Sequence, residues 1–161
     1  VVALLAAGPA AADPAAPEEL PSAADLDGWY LTIGPIGAAT HVGDGWWSAA
    51  GGELSVVHLG EAAFPAVAGA CVGGVSYGGR PGGRLWLEAE AGMARPLPFG
   101  LGLAAGLAVE VDRTLPTRLG AQATLWAGAG FVPYVRVGFL DVTGKFAEAG
   151  IMLKVPVRFA Y

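Results

Sequence analysis

Glu88 and Glu90 lie two residues apart in the stretch RLWLEAEAGM. In an extended chain that spacing points both carboxylates the same way. Paired carboxylates can divide acid and base work when their surroundings drive their pKa values apart. Arg84 shares their face, and Arg118, Arg136, Lys154 and Arg158 hold equivalent positions in other segments. Ion pairing is therefore the simpler use of the two acids, since buried charges must be paired in any case. Nucleophilic catalysis would need a Ser, a His and an acid converging on one point. The histidines are His41 and His58. His58 is three residues from Ser55, which puts the two on opposite faces of a strand, and His41 falls in a turn. Two separated histidines and the single Cys71 make no zinc spacing. The pieces GACVGGVSYGG and GLGLAAGLAVE are glycine-rich, but no helix follows them as a dinucleotide loop requires. The expectation is a protein without catalytic residues, metal or cofactor.

The elements that carry these charges have a period of two, not 3.6. In FGLGLAAGLAVEV, the residues Phe99, Leu101, Leu103, Ala105, Leu107, Val109 and Val111 share one face. Gly100, Gly102, Ala104, Gly106, Ala108 and Glu110 share the other. Turn signals such as GDG at 43–45, GRPGG at 79–83 and DVTGK at 141–145 divide the chain from Gly28 onward. The strands expected are 29–40, 46–58, 66–78, 84–94, 99–111, 117–129, 132–140 and 146–161. Segments of about ten alternating residues between turns are the mark of a transmembrane barrel. The fold class expected is all-β, a closed antiparallel up-and-down eight-stranded transmembrane β-barrel.

The polar face is made of small residues and balanced charge. Glu53, Glu88, Glu90, Glu110 and Glu148 fall on it with Arg84, Arg118, Arg136, Lys154 and Arg158. An eight-stranded barrel has an interior just wide enough for side chains to fill. These ten residues are therefore expected to form a lumen charge network, with the Leu/Val/Phe face in lipid. Aromatics gather near both ends of the strands: Trp29, Tyr30, Trp46, Trp47, Tyr77, Phe99, Phe131, Phe139, Phe146, Phe159 and Tyr161. Membrane interfaces select such belts, because the rings are amphipathic. Pro35, Pro133 and Pro156 interrupt strands and predict bulges or strand ends. The apolar phase changes within WWSAAGGELSVVHL, which predicts a bulge at Gly51-Gly52.

Of 161 residues, 54% are hydrophobic and 14% charged, against about 25% charged in a usual soluble chain. Mean hydropathy is +0.53, yet no stretch reads as the roughly 20 apolar residues of a membrane helix. The net charge of −5 belongs to residues 1–27, which hold Asp13, Glu18, Glu19, Asp25 and Asp27 without Lys or Arg. Nothing resembles the basic stripe of a nucleic-acid binder. VVALLAAGPAAADP resembles the end of a secretory signal peptide, with cleavage after Ala12. The organisation expected is a signal remnant at 1–12, an acidic Pro/Ala-rich linker at 13–27 and the barrel at 28–161.

The chain ends in LKVPVRFAY. Its alternating Val155, Val157, Phe159 and Tyr161 resemble the C-terminal assembly signal of bacterial outer-membrane barrels, in which Phe is the commoner last residue. The overall pattern resembles the small eight-stranded OmpA/OmpX type, without its long charged outer loops. That resemblance implies an outer-membrane location and a structural or interaction role. It also implies membrane lipids and the barrel-assembly machinery as partners, and a monomer. Three other readings are open: a lipid A-modifying enzyme, a narrow ion pore, and a soluble binder of a small lipophilic ligand. The last rests on DGWYLTIG, which resembles the Gly-x-Trp opening of lipocalins. A soluble barrel, however, would carry its charges outside, where residues 99–111 present a bare apolar stripe.

Overall fold

The computed structural model describes residues 27–60, 65–93, 100–113, 116–141 and 144–160. Nine strands follow in chain order: β1 (Gly28–Val42), β2 (Gly45–Leu59), β3 (Val67–Gly78), β4 (Gly83–Met93), β5 (Gly100–Val111), β6 (Arg118–Gly128), β7 (Phe131–Leu140), β8 (Gly144–Leu153) and β9 (Val155–Ala160). Each of β1 to β7 pairs antiparallel with the strand that follows it. β1 also pairs with β8 and β9, which closes the cylinder. Ile33 stands opposite Val155 and Ile36 opposite Met152, so one register runs across the break at Lys154. β8 and β9 are thus two halves of a single stave, and the barrel has eight staves. The expected strands agree with these bounds to within two residues.

Alternation sets the two faces. In β5 Leu107 is 65% exposed while its neighbour Ala108 is wholly buried. In β4 Leu85 and Leu87 point out and Arg84, Trp86, Glu88 and Glu90 point in. The described staves alternate in the same way, so large aliphatic side chains cover the outside, while the inside holds the charges together with buried apolar residues such as Val75, Leu140 and Met152. The charges inside are ones that are paired, the condition under which such residues are found fully buried.

Close backbone packing dictates two glycines. The β1–β2 hairpin has only Gly43 and Asp44 between the paired Val42 and Gly45. Gly43 has φ +61°, as two-residue hairpin turns require of their first central residue. Gly34 faces the break in the last stave, where any Cβ would fall on the carbonyl of Leu153.

The prolines sit where a missing N–H costs little. Pro35 lies beside Gly34, level with the break between β8 and β9. Pro133 lies just past Trp126–Tyr134, the last pair of the β6–β7 ladder. Pro156 is in β9, which pairs only with β1 among the described residues. The bulge expected at Gly51-Gly52 does not exist. Gly51 and Gly52 pair in unbroken register with Ile36 and Pro35 on one side, and with Val75 and Gly74 on the other. The apparent change of phase has another cause: Trp47 and Ala49 are apolar residues on the lumen face. A bulge does occur in the final stave, between Trp29 and Tyr30 where they meet β9.

Candidate functional site

The lumen is crossed by a network centred on Arg136 of β7, which is fully buried. Its Nη1 lies 3.0 Å from Glu148 Oε1. Its Nη2 lies 3.4 Å from Glu88 Oε2 and 3.5 Å from Glu53 Oε2. Its Nε donates to Thr124 Oγ1 at 2.8 Å, and its guanidinium stacks 4.0 Å from the centre of the Trp86 ring. Arg is suited to this place because its planar fork serves several acceptors at once and stacks on aromatic faces. Four staves thus meet on one side chain.

The carboxylates have further donors. Arg84 pairs with Glu148 and stacks on Phe146. Tyr134 donates its hydroxyl to Glu148 at 2.8 Å. Thr124 donates to Glu88 at 2.9 Å, and Trp86 Nε1 donates to Glu53 at 3.2 Å. Lys154 reaches into the lumen from the break in the last stave. Its Nζ meets Glu53 at 3.0 Å, Glu90 at 3.2 Å and Ser55 Oγ at 3.1 Å. A second cluster closes the hairpin end of the lumen. There Arg80 holds Glu110 at 2.6 Å and Asp112 at 3.9 Å, with Arg118 3.8 Å from Glu110.

Nine of the ten residues expected in the network line these two clusters. Arg158 stands apart, at the N-terminal rim, where it donates to the Asp27 carbonyl and lies 5.9 Å from the Tyr30 ring. Arg80 joins them unexpectedly, because its place in the turn GRPGG marks it as a loop residue. Its position one residue past Gly79, at a strand end, is the signal that a long side chain can fold back over the rim. Thr124, Tyr134 and Trp86 were missed as partners because nothing in their spacing distinguishes a neutral donor from packing.

The aromatics divide by face. Trp29, Trp46, Phe131, Phe139 and Phe159 are exposed on the outside. Tyr30, Tyr77 and Phe146 are buried inside, and Trp47 also points inward. These four are corrections to the expected interface belts. Their positions along the strands fit a belt, but alternation turns them to the lumen, and only one of the adjacent Trp46 and Trp47 can face out. Phe99 and Tyr161 lie outside the described residues, as do the segments 1–12 and 13–26. Val155, Val157 and Phe159 form the exposed side of β9.

The remaining chemical candidates are accounted for by geometry. Ser55 is buried in the lumen, whereas His58 lies on the outer side, 3.5 Å from Asp27 and edge-on to Trp29. Cys71 Sγ and one oxygen each of Glu53 and Glu88 lie within 4.8 Å of one another, as metal ligands could. Arg136 and Lys154 already supply the positive charge at that point.

Eight closed antiparallel staves, an apolar exterior and a lumen of paired charge define the class: an up-and-down barrel of the outer-membrane type. Among solved structures the chain is similar to Neisserial surface protein A, an eight-stranded outer-membrane barrel. The TM-score is 0.54 at 13% identity, over 81% of this chain and 97% of that one. At that identity the likeness is one of fold. No protein-family model matches the chain, and no curated protein matches it.

Proposed function

We propose that this chain is an integral outer-membrane barrel with a structural or interaction role, not an enzyme, and that its lumen network plugs the barrel rather than conducting. One observation carries the membrane reading. Leu85, Leu87, Leu103, Leu107, Leu119 and Ile151 are each more than half exposed on the outer face, while Arg84, Arg136, Glu88 and Glu148 are sealed inside. Exposed apolar patches beyond a few hundred Å² mark interaction or membrane surfaces, and a girdle around every stave fits hydrocarbon. Supporting the plugged lumen, Arg136 pairs across it with Glu53, Glu88 and Glu148 on three other staves.

In this reading the N-terminal rim faces the periplasm, with the acidic segment 13–27 on that side and the signal remnant preceding it. The exposed residues Val155, Val157 and Phe159 of β9, with Tyr161 after them in the sequence, serve as the signal for the assembly machinery. Trp29, Phe131 and Phe159 anchor one interface, and Trp46 and Phe139 the other. The test is gel mobility of protein from purified outer membranes, boiled and unboiled, beside a detergent-free extraction. A mobility shift on boiling, with material only in detergent, is expected. Extraction into plain buffer as a monomer would overturn the reading.

A further inference from the structure

The lumen is not packed along its whole length. A cavity of about 300 Å³ opens at the N-terminal rim, at the small end of the roughly 300–1,000 Å³ of small-molecule pockets. Leu59, Val67 and Val132 line it near the rim ends of their strands, and Pro156 lines it beside the break in the last stave. Thr32, Glu90, Trp126 and Lys154 line its deeper part. These four lie together. Lys154 Nζ is 3.2 Å from Glu90 Oε2 and 6.0 Å from the centre of the Trp126 ring. In the β1–β2 ladder Thr32 stands opposite Ser55, whose Oγ accepts from Lys154 Nζ at 3.1 Å.

Three of them carry a polar atom with no hydrogen-bond partner among the described residues: Thr32 Oγ1, Glu90 Oε1 and Trp126 Nε1. The residues are only 7%, 5% and 8% exposed, so bulk water does not serve these atoms. Buried polar groups are nearly always satisfied. One is an acceptor, one a donor, and the threonine hydroxyl is both. A hydroxyl group complements this set, since it donates to a carboxylate and accepts from an indole N–H. A carboxylate head would meet Glu90 as a like charge, and a bare hydrocarbon would leave all three atoms unpaired.

The wall of the cavity also has a lateral gap. β9 has no strand on its second side among the described residues. β7 begins at Phe131, opposite Leu153, and the upper edge of the gap is fixed by the bond from Lys154 N to Gly130 O at 2.7 Å. The outer surface beside it is apolar: Val155, Val157 and Phe159 are about half exposed or more.

We propose that this pocket binds one small uncharged amphiphile, a single short hydrocarbon chain bearing a hydroxyl. The hydroxyl sits deep, between Glu90, Trp126 and Thr32, and the chain runs past Val132 and Pro156. The ligand enters sideways between β9 and the β6–β7 hairpin. The proposal rests on the barrel and its lateral gap, not on which membrane holds it.

The test uses the full chain folded in lipid nanodiscs with isotope-labelled tryptophan, its folding checked independently by heat-modifiable gel mobility. Decanol is titrated while the indole N–H resonances are recorded, with Trp126 assigned from W126F. A saturable shift of Trp126 with Trp46 unmoved is expected, and decane and decanoate should bind at least about tenfold more weakly. Val132→Phe should fill the pocket and abolish saturation in a barrel that still folds. Thr32→Val should weaken decanol without affecting decane. A shift that never saturates and affects Trp46 equally would mean bulk partitioning and overturn the proposal. Equal binding of decane, or unchanged binding in V132F, would overturn it as well, leaving pocket hydration only.

Discussion

Replacing Arg136 with Met is expected to be the most damaging single change in the lumen that keeps side-chain volume. The cost can be worked from what each carboxylate retains. Glu148 keeps Arg84 and Tyr134. Glu53 keeps Lys154 and Trp86. Among the described residues Glu88 keeps neutral partners and no ion pair: the Thr124 hydroxyl at 2.9 Å, the weak Cys71 thiol at 3.8 Å and the neighbouring Gln122 amide. It is 2% exposed, so water does not replace the lost cation. Breaking a buried pair by removing one partner costs about 3–5 kcal/mol, because a charge is left uncompensated. The stranded group is Glu88, so the double variant E88Q/R136M should recover about 1.5–3 kcal/mol of the loss, the range for a hydrogen bond to a charged group. The assay is reversible urea unfolding in lipid vesicles, followed by tryptophan fluorescence, across the full double-mutant cycle. If R136M lies within about 0.5 kcal/mol of the parent, or the two losses simply add, Arg136 is not the hub of the lumen and the reasoning is refuted.

Leu107→Arg places a cation on the outer face near the middle of β5. In lipid it should cost about 2–4 kcal/mol, measured by vesicle folding against Leu107→Ala; parity of the two would argue against a lipid-facing belt. Gly34→Ala drives a Cβ into the Leu153 carbonyl and should cost about 1–3 kcal/mol. Gly37→Ala meets nothing within 4 Å and should stay within about 0.5 kcal/mol, by the same unfolding measurement. Cys71 is 3% exposed, so a maleimide should label it only after the barrel is unfolded; rapid labelling of the folded barrel would contradict the lumen packing. Phe159→Ala should lower outer-membrane yield in cells by more than it slows folding into pure lipid vesicles; equal effects would remove the assembly-signal role.

The staves were legible because barrel physics writes itself into the chain at the shortest possible period. Each residue of β5 answers one question, in or out, and Leu107 and Ala108 answer it without reference to anything distant. The same economy explains what was misread. Trp47 and Ala49 are apolar, and a rule equating apolar with outside sends them to lipid, whereas the ladder through Gly51 and Gly52 holds them in the lumen. Tyr30, Tyr77 and Phe146 depart from the belt for a related reason: nearness to a strand end says nothing about face, and alternation turns all three into the lumen. The charges were legible as a set and not as pairs. Glu148 and Arg84 are 64 residues apart, and a spacing of that size carries no record of which acid meets which base. The orphaned Thr32, Glu90 and Trp126 atoms were not legible at all, since an unmet hydrogen bond is a property of three-dimensional placement.

The last stave shows how network and ladder depend on one another. Closing a barrel requires its final strand to pair with its first, and here that seam is interrupted. Gly34 lies against the Leu153 carbonyl, Pro35 has no N–H to give, and Lys154 belongs to neither β8 nor β9. Backbone hydrogen bonds lost inside a membrane have no water to replace them, so the break needs other support. Lys154 provides it twice. Its backbone N–H bonds to Gly130 O on the β6–β7 turn, and its Nζ reaches across the lumen to Glu53 on β2 and Glu90 on β4. The residue that breaks the ladder is thus the one whose charge ties the seam to distant staves. Lys154→Met should therefore weaken the seam at the N-terminal rim before the rest of the barrel. Hydrogen exchange of the β9 amides should rise while that of β4 and β5 is unchanged, and a uniform rise would show that Lys154 supports the barrel generally and not its seam.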